Sequence, residues 1–312
     1  MTEALRVGPI HLDHAPGGHR LWAPVHVPGI DGLPEALEMR VVHGSLAPGP
    51  AHADAFVVGL LPLAMHLRRP LRVQGVVSAR LAYGLRDYQT ALHCWWPELF
   101  TPVALEVDRT DARRDQAPGE AVACGFSGGV DAFFTVLSHA PARERLDPYR
   151  LRHAVMVNGV DKLVDTDGET TVARVYEHYR PVLAEWGVEL MLVRSNLQVF
   201  RRAVLPKAGL YNSYLSSLAS WPLALSGTVG RYLIAGHSTY AYRDLVPQAS
   251  HLALDHLLCT DQVQIVHFGA HATRAQRVAA IAGEPGVQRT LRVCTGAQWL
   301  HPDRGTLHNC GR

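Results

Sequence analysis

Ala121-Val122-Ala123-Cys124-Gly125-Phe126-Ser127-Gly128-Gly129-Val130-Asp131-Ala132-Phe133-Phe134 is the stretch on which the reading of the fold turns. The apolar run Ala121 to Gly125 has the continuity of a buried strand, a Ser-Gly-Gly turn follows, and apolar residues at helical spacing begin at Val130. Glycine at 128 and 129 lets backbone approach a ligand closely. The N–H groups of the turn and of a helix starting there favour an anion, and phosphate fits that description. No Gly-Lys-Ser/Thr follows, so this is not a Walker loop.

Downstream the same strand-then-helix pattern repeats. Strands are expected at Ala121–Gly125, Ala154–Val157, Leu190–Val193, Arg231–Ala235 and Val263–His267. Helices are expected at Val130–His139, Thr170–Trp186, Tyr211–Leu225 and Thr273–Ala282, with Gly187 as a helix stop. This alternation predicts an α/β fold, a parallel sheet with helices on both faces. Ligands of such sheets bind beyond the carboxyl ends of the strands. The residues there are Asn158-Gly159-Val160-Asp161, Arg194-Ser195-Asn196 and Gly236-His237-Ser238-Thr239-Tyr240. Each is also ordinary turn sequence; their convergence on one sheet edge with the Ser-Gly-Gly loop is what marks them.

Upstream, residues 1–116 read as a smaller α+β domain. Strands are expected around Arg20–Val27 and Met39–His43. The apolar run Phe56–Met65 contains Pro62, which argues against one long helix. Leu81, Leu85, Tyr88, Leu92 and Trp95 make one face of an amphipathic helix between Ser78 and Trp96, with Ser78 as N-cap. Trp95 and Trp96 read as packing residues more readily than as a pocket wall. The polar stretch Thr110–Gly119 ends in Pro118-Gly119 and suits a linker. The expected organisation is therefore 1–116, 117–290 and a cysteine-containing tail, 291–312.

The bulk properties exclude several classes. The 312 residues are 47% apolar, enough for a large packed core, and 30 basic against 28 acidic residues leave a net charge of +2. Such a balance gives no support to nucleic acid as partner. No apolar run reaches the length of a membrane span, and Met1–Arg6 leads into no signal-peptide core, so a soluble cytoplasmic protein is expected. Five scattered cysteines form no disulfide framework, and Cys124, inside a strand, is expected to be buried and unreactive. Most of the 18 histidines are isolated.

Ser127-Gly128-Gly129-Val130-Asp131 matches the SGGxD core of the pyrophosphate loop, and the chain resembles the N-type ATP pyrophosphatases (PP-loop) of the adenine-nucleotide alpha-hydrolase superfamily, which has a HUP-like fold. The resemblance runs from Gly125 through Val155-Met156-Val157-Asn158-Gly159 and Ile234-Ala235-Gly236-His237-Ser238. It departs at Ala132, where the family usually carries Ser or Thr. The resemblance implies ATP and Mg²⁺ as cofactors. Phe126, Ser127, Gly128, Gly129, Val130 and Asp131 would hold the phosphates, Met156, Val157 and Asn158 the adenine, and Gly236 the nucleotide. His237 and Ser238 would face the triphosphate or the activated oxygen. Asp131 would orient Mg²⁺ or the loop, and Arg243 would neutralise developing charge, with Lys207, Arg201 and Arg202 as alternatives.

The implied reaction is adenylylation of a carbonyl or carboxylate oxygen of a small molecule, pyrophosphate release, and displacement of AMP by nitrogen or sulfur. The chain matches no THUMP-like or glutaminase module, and position 2 is threonine, not a catalytic cysteine. Ammonia, an amine or an external sulfur donor is therefore expected. Cys294 and the closing His308-Asn309-Cys310-Gly311-Arg312 are similar to the zinc-binding tail of 7-cyano-7-deazaguanine synthases and their relatives. The resemblance implies Cys294 and Cys310 as two thiolates of a closed four-ligand Zn²⁺ site; the sequence stops at Arg312, where a further cysteine is expected, so the site is truncated, without metal, or completed by His301 or His308. The alternatives are a non-catalytic nucleotide sensor and a tRNA-thiolating enzyme, the latter disfavoured by the charge balance. Oligomeric state is not legible.

Overall fold

The computed structural model describes residues 3–15, 18–45, 52–111, 119–159, 168–236, 238–241 and 246–293, with 168–171 as backbone only. The strands are β1 (Leu5–Val7), β2 (His11–Ala15), β3 (Gly18–His26), β4 (Ala36–His43), β5 (Leu71–Ser78), β6 (Leu105–Asp111), β7 (Ala121–Gly125), β8 (Leu151–Asn158), β9 (Glu189–Ser195), β10 (Val229–Ala235) and β11 (Gln264–Phe268). The helices are α1 (Asp54–Leu67), α2 (Ala79–Trp95), α3 (Val130–His139), α4 (Gly168–Glu185), α5 (Leu197–Val204), α6 (Lys207–Asn212), α7 (Tyr214–Ala224), α8 (Arg274–Ile281) and α9 (Pro285–Thr290).

Among the described residues eleven strands form one sheet, ordered β11-β10-β7-β8-β9-β4-β3-β1-β5-β6, with β2 paired to β3 off this path. The stretch from β11 to β9 is parallel throughout, with Leu233 opposite Cys124, Cys124 opposite Ala154 and Val155 opposite Met191. Counted in chain order, these five strands lie 3-2-1-4-5. Alternate residues of β7 face opposite ways, as a strand requires. Ala123 joins an apolar cluster with residues of α1, α2 and α7, while Val122 and Cys124 join a second cluster with Phe133 of α3 and Tyr179 of α4. The expected α/β architecture, a largely parallel sheet with helices on both faces, is what this half shows.

The N-terminal strands extend the same sheet. β4 pairs antiparallel with β9, Val41 opposite Val193 and Met39 opposite Ser195. The seam is pinned by Asn196, whose side chain accepts from the Glu38 N–H at 2.9 Å and donates to the Ala36 carbonyl at 2.8 Å. These strands are one-sided: Leu5, Val7, Leu71 and Val73 are buried beside α1 and α2, whereas Arg6 and Arg72 face water. The stretch 112–118, where the linker was expected, lies outside the described residues. Among the described residues no helix is long and apolar enough to cross a membrane.

Three local expectations need correction. Asp54–Leu67 is one helix with Pro62 inside it. A mid-helix proline costs about 3 kcal/mol, but Phe56, Leu60, Leu61 and Leu63 are fully buried in this helix, each contributing roughly 1.5–3 kcal/mol. Tertiary burial wins. Ser78 does occupy the N-cap position of α2, yet its side chain makes no cap bond there; its hydroxyl donates to Asp261 Oδ2 at 2.6 Å and accepts from the Asp261 N–H at 3.0 Å.

The expected helix Tyr211–Leu225 is instead two, α6 and α7, broken at Ser213. The cause is Arg201, 1% exposed, whose guanidinium takes the Leu210 carbonyl at 3.1 Å, the Ser213 carbonyl at 3.3 Å and the Ser213 hydroxyl at 3.0 Å. Burial depresses its pKa to about 10. Trp95 and Trp96 pack, as expected, edge to face on each other and on His251 and Phe100.

Candidate functional site

In a 3-2-1-4-5 sheet the connections leave in opposite directions from the first strand, opening a crevice at the carboxyl ends of the first and fourth strands. Here those strands are β7 and β10. A cavity of about 380 Å³ lies there, lined by Gly125–Ser127, Gly129–Ala132, the β8 end Val155–Asn158, Tyr232, Ile234 and Ala235 of β10, and Tyr214, Leu218 and Trp221 of α7. Val172 of α4, Arg274, Arg292 and Val293 complete the described wall.

The loop between β7 and α3 is built by packing beneath it and a strap across it. Phe126 donates its N–H to the Val155 carbonyl at 2.8 Å, and its ring meets Phe133 and Tyr179 edge to face, each at 5.1 Å. Gly128 has φ +72°, and a Cβ there would lie 2.0 Å from Tyr179 Oη. Only glycine fits. The Tyr179 hydroxyl donates to the Thr290 carbonyl at 3.1 Å, the Arg292 N–H to the Gly128 carbonyl at 2.8 Å, and Arg292 Nη1 to the Ser127 carbonyl at 3.3 Å. The residues 290–292 are thereby fastened over the loop.

Gly129 stands at the N-cap of α3. Val130, Asp131 and Ala132 follow with first-turn N–H groups that no carbonyl of the helix can accept, and the dipole places partial positive charge there. These residues line the cavity. At its other side Asn158 is 7% exposed, and its Oδ1 has no hydrogen-bond partner. The chain turns sharply after it: Gly159 has φ +93°, and a Cβ would sit 1.7 Å from the Ser195 carbonyl. Trp221, 1% exposed, likewise has an unpartnered Nε1–H. An unsatisfied buried polar atom costs about 1–3 kcal/mol, which a ligand group of complementary type removes.

Asp131 makes contacts that the sequence reading did not foresee. Its Oδ1 accepts from Arg277 Nη1 at 2.8 Å and its Oδ2 from Arg274 Nη1 at 3.0 Å. Arg277 is 1% exposed. Its Nε donates to the Ala272 carbonyl at 3.1 Å, its Nη1 also to the Gly236 carbonyl, and its Nη2 to the Ser238 and Gly269 carbonyls at 2.9 and 2.8 Å. All five guanidinium donors are used. One side chain on α8 thus ties the start of α3 to the loops that follow β10 and β11.

The expected site residues divide accordingly. Phe126, Ser127, Gly129, Val130, Asp131, Met156, Val157 and Asn158 come together on the cavity, with Gly128 in the loop beneath the strap. Gly236 contributes a carbonyl to Arg277 and not a surface of the cavity. Ser238 is buried, and its hydroxyl donates to Gln248 Oε1 at 3.2 Å. Arg201 is committed to the α6–α7 break, and neither it nor Arg202 nor Lys207 lines the cavity, whose described cations are Arg274 and Arg292. Of the turn after β9, Asn196 belongs to the β4 seam and the Ser195 hydroxyl accepts from the Leu197 N–H at 3.2 Å.

His237, Arg243, Cys294 and Cys310 lie outside the described residues, as do His301 and His308. Among the described residues no group of three or more His, Cys, Asp and Glu could hold a metal ion. Cys124 is fully buried and its thiol is pushed up to about 12 by burial, so it is a packing residue and not a nucleophile. Cys259 is raised in the same way.

Behind β10 a second polar group is buried. His267 Nδ1 bonds Asp255 Oδ2 at 2.7 Å, and the same carboxylate accepts from the Ser250 hydroxyl at 2.9 Å and the His251 N–H at 2.8 Å. Gly236 packs on this imidazole so closely that a Cβ would come within 2.0 Å of Nε2. The network fixes the β10–β11 ends rather than opening onto the cavity. Comparison with models of known protein families, with curated proteins and with solved structures finds no match to this chain.

Proposed function

We propose that the chain is an AMP-forming enzyme of the PP-loop, HUP-like type, a ligase or sulfurtransferase acting in the cytoplasm on a small molecule. ATP, with Mg²⁺ as counter-ion, lies in the cavity between β7 and β10. The observation that carries this reading is the coincidence of three features in one crevice: the glycine turn, the α3 N-terminus and the arginines 274 and 292. The N–H groups from Gly129 to Ala132 receive phosphate oxygens. Adenine lies against Met156 and Val157, where Asn158 Oδ1 is placed to accept from an amino group.

The chemistry follows from what the loop can hold. A substrate carbonyl or carboxylate oxygen attacks the alpha phosphorus, the bond from that phosphorus to the bridging oxygen breaks, and pyrophosphate departs on the loop. Donors fixed where charge develops stabilise that step without reorganising. Ammonia, an amine or a sulfur donor then attacks the activated carbon, and AMP leaves carrying the substrate oxygen. The buried Cys124 and Cys259 do not suit a persulfide carrier and the exposed Cys94 does not line the cavity, so sulfur, if it is the nucleophile, comes from outside the described site.

With oxygen-18 in the reacting carbonyl or carboxylate, the expected result is label in AMP, pyrophosphate as co-product and no ADP. Candidate acids, lactams and nucleobases are assayed with ammonia and with sulfide. ADP and phosphate as products, or label absent from AMP, reject adenylylation.

A second reading, a nucleotide sensor without catalysis, rests on Ala132, which lines the cavity at the third helical position and offers no hydroxyl to a phosphate. Pyrophosphate release that needs a substrate separates the enzyme from the sensor.

A further inference from the structure

The geometry points to Asp131 as the carboxylate that stations two arginines, not a ligand of magnesium, and to Arg274 as the residue that selects a pyrophosphate-bearing nucleotide. The inference rests on the nucleotide reading given above and deepens it.

Both oxygens of Asp131 already face guanidinium groups. The two partners differ in kind. Arg277 spends every donor on fixed oxygens and is buried, so it cannot leave. Among the described residues Arg274 bonds Asp131 alone, its side chain is 65% exposed, and it lines the cavity. An exposed pair of this kind is worth about 0–1 kcal/mol. A phosphate carrying more charge than one shared carboxylate readily takes Arg274 over.

Charge balance gives the direction. One carboxylate is shared by two guanidinium groups, a net excess of one positive charge before Arg292 and the helix dipole are added. Asp131 is the acid among the described lining residues, set against Arg274 and Arg292. A buried arginine shared in this way is compensated fully only when an anion arrives. Guanidinium binds phosphate through two parallel N–H donors, a geometry lysine lacks. Asn158 Oδ1, buried and unpartnered on the far wall, marks the opposite end of the same ligand.

The test is calorimetry of the full chain with ATP, AMP and inorganic pyrophosphate, each in Mg²⁺ and in EDTA. For Arg274→Ala we expect ATP and pyrophosphate to bind at least about tenfold more weakly, with AMP changed less than about twofold and unfolding unaltered. Arg274→Lys should restore part of the loss. Asp131→Asn should weaken ATP by a similar factor in Mg²⁺ and in EDTA. Unchanged pyrophosphate and ATP affinity in Arg274→Ala overturns the inference while leaving the nucleotide site in place. An Asp131→Asn loss confined to Mg²⁺ overturns it too, since it makes Asp131 a metal ligand. A wild-type chain that binds neither ATP nor pyrophosphate rejects the proposed function, and this inference with it.

Discussion

Gly128→Val is expected to abolish nucleotide binding while leaving most of the chain folded. The left-handed conformation costs a side chain about 1–2 kcal/mol. The overlap is the larger effect, because a Cβ at 2.0 Å from Tyr179 Oη demands that tyrosine, loop or strap move. Tyr179 cannot yield freely: its ring packs on Phe126 and Phe133, and its hydroxyl holds the Thr290 carbonyl. Overpacking of this kind costs about 1–3 kcal/mol. A displaced loop loses its aligned N–H groups, so affinity for ATP should fall by at least about a hundredfold, roughly 2.7 kcal/mol. Calorimetry reads the affinity, and urea unfolding checks the fold. Wild-type affinity in a folded Gly128→Val protein removes the loop from the site.

The second large effect is on stability. Arg277→Met should cost about 3–5 kcal/mol, because it takes from the half-buried Asp131 the buried one of its two guanidinium partners and leaves four carbonyls without their donor. Lysine should not rescue it. An ammonium has three donors on a single atom and cannot span Asp131, Gly236, Ser238, Gly269 and Ala272. The measurement is the urea midpoint of Arg277→Met and Arg277→Lys against wild type. A loss below about 1 kcal/mol for Arg277→Met would mean that the loops after β10 and β11 hold their places without the clamp.

Strand β7, helix α3 and the cavity they open are legible because their signals are local. An unbroken apolar run, two glycines and a helical repeat need no knowledge of distant residues. The elements that misled are those decided by remote packing. Pro62 argues for a break, yet the helix around it is wholly enclosed. Ser213 ends a helix because Arg201, a dozen residues earlier, claims its carbonyl. The antiparallel joint of β4 to β9 pairs residues some 150 positions apart, for instance Val41 with Val193, and no local pattern announces it.

The arginine clamp had a faint signal. Arg274 and Arg277 fall in the first turns of α8, the end where the helix dipole repels cations, and no acid accompanies them there. Two unfavourably placed cations one turn apart ask for an anion from elsewhere in the fold. Asp131 answers, from the start of the neighbouring helix α3. Neither lies in a turn that follows a strand: Arg274 opens α8 and Arg277 sits one turn further in.

The joint between β4 and β9 also bears on how the chain survives synthesis. Glu189–Ser195 carries Leu190-Met191-Leu192-Val193, four apolar residues in a row. Its outer flank is sealed by β4, a segment made nearly 150 residues sooner. Were that flank open, it would present free N–H and C=O groups along an apolar strand, the template on which foreign strands stack. A fragment beginning at Gly119 would retain the described cavity and yet be sticky, prone to pairing with its own copies. The early strands thus act as an inbuilt guard: they are made before the one strand that most needs covering.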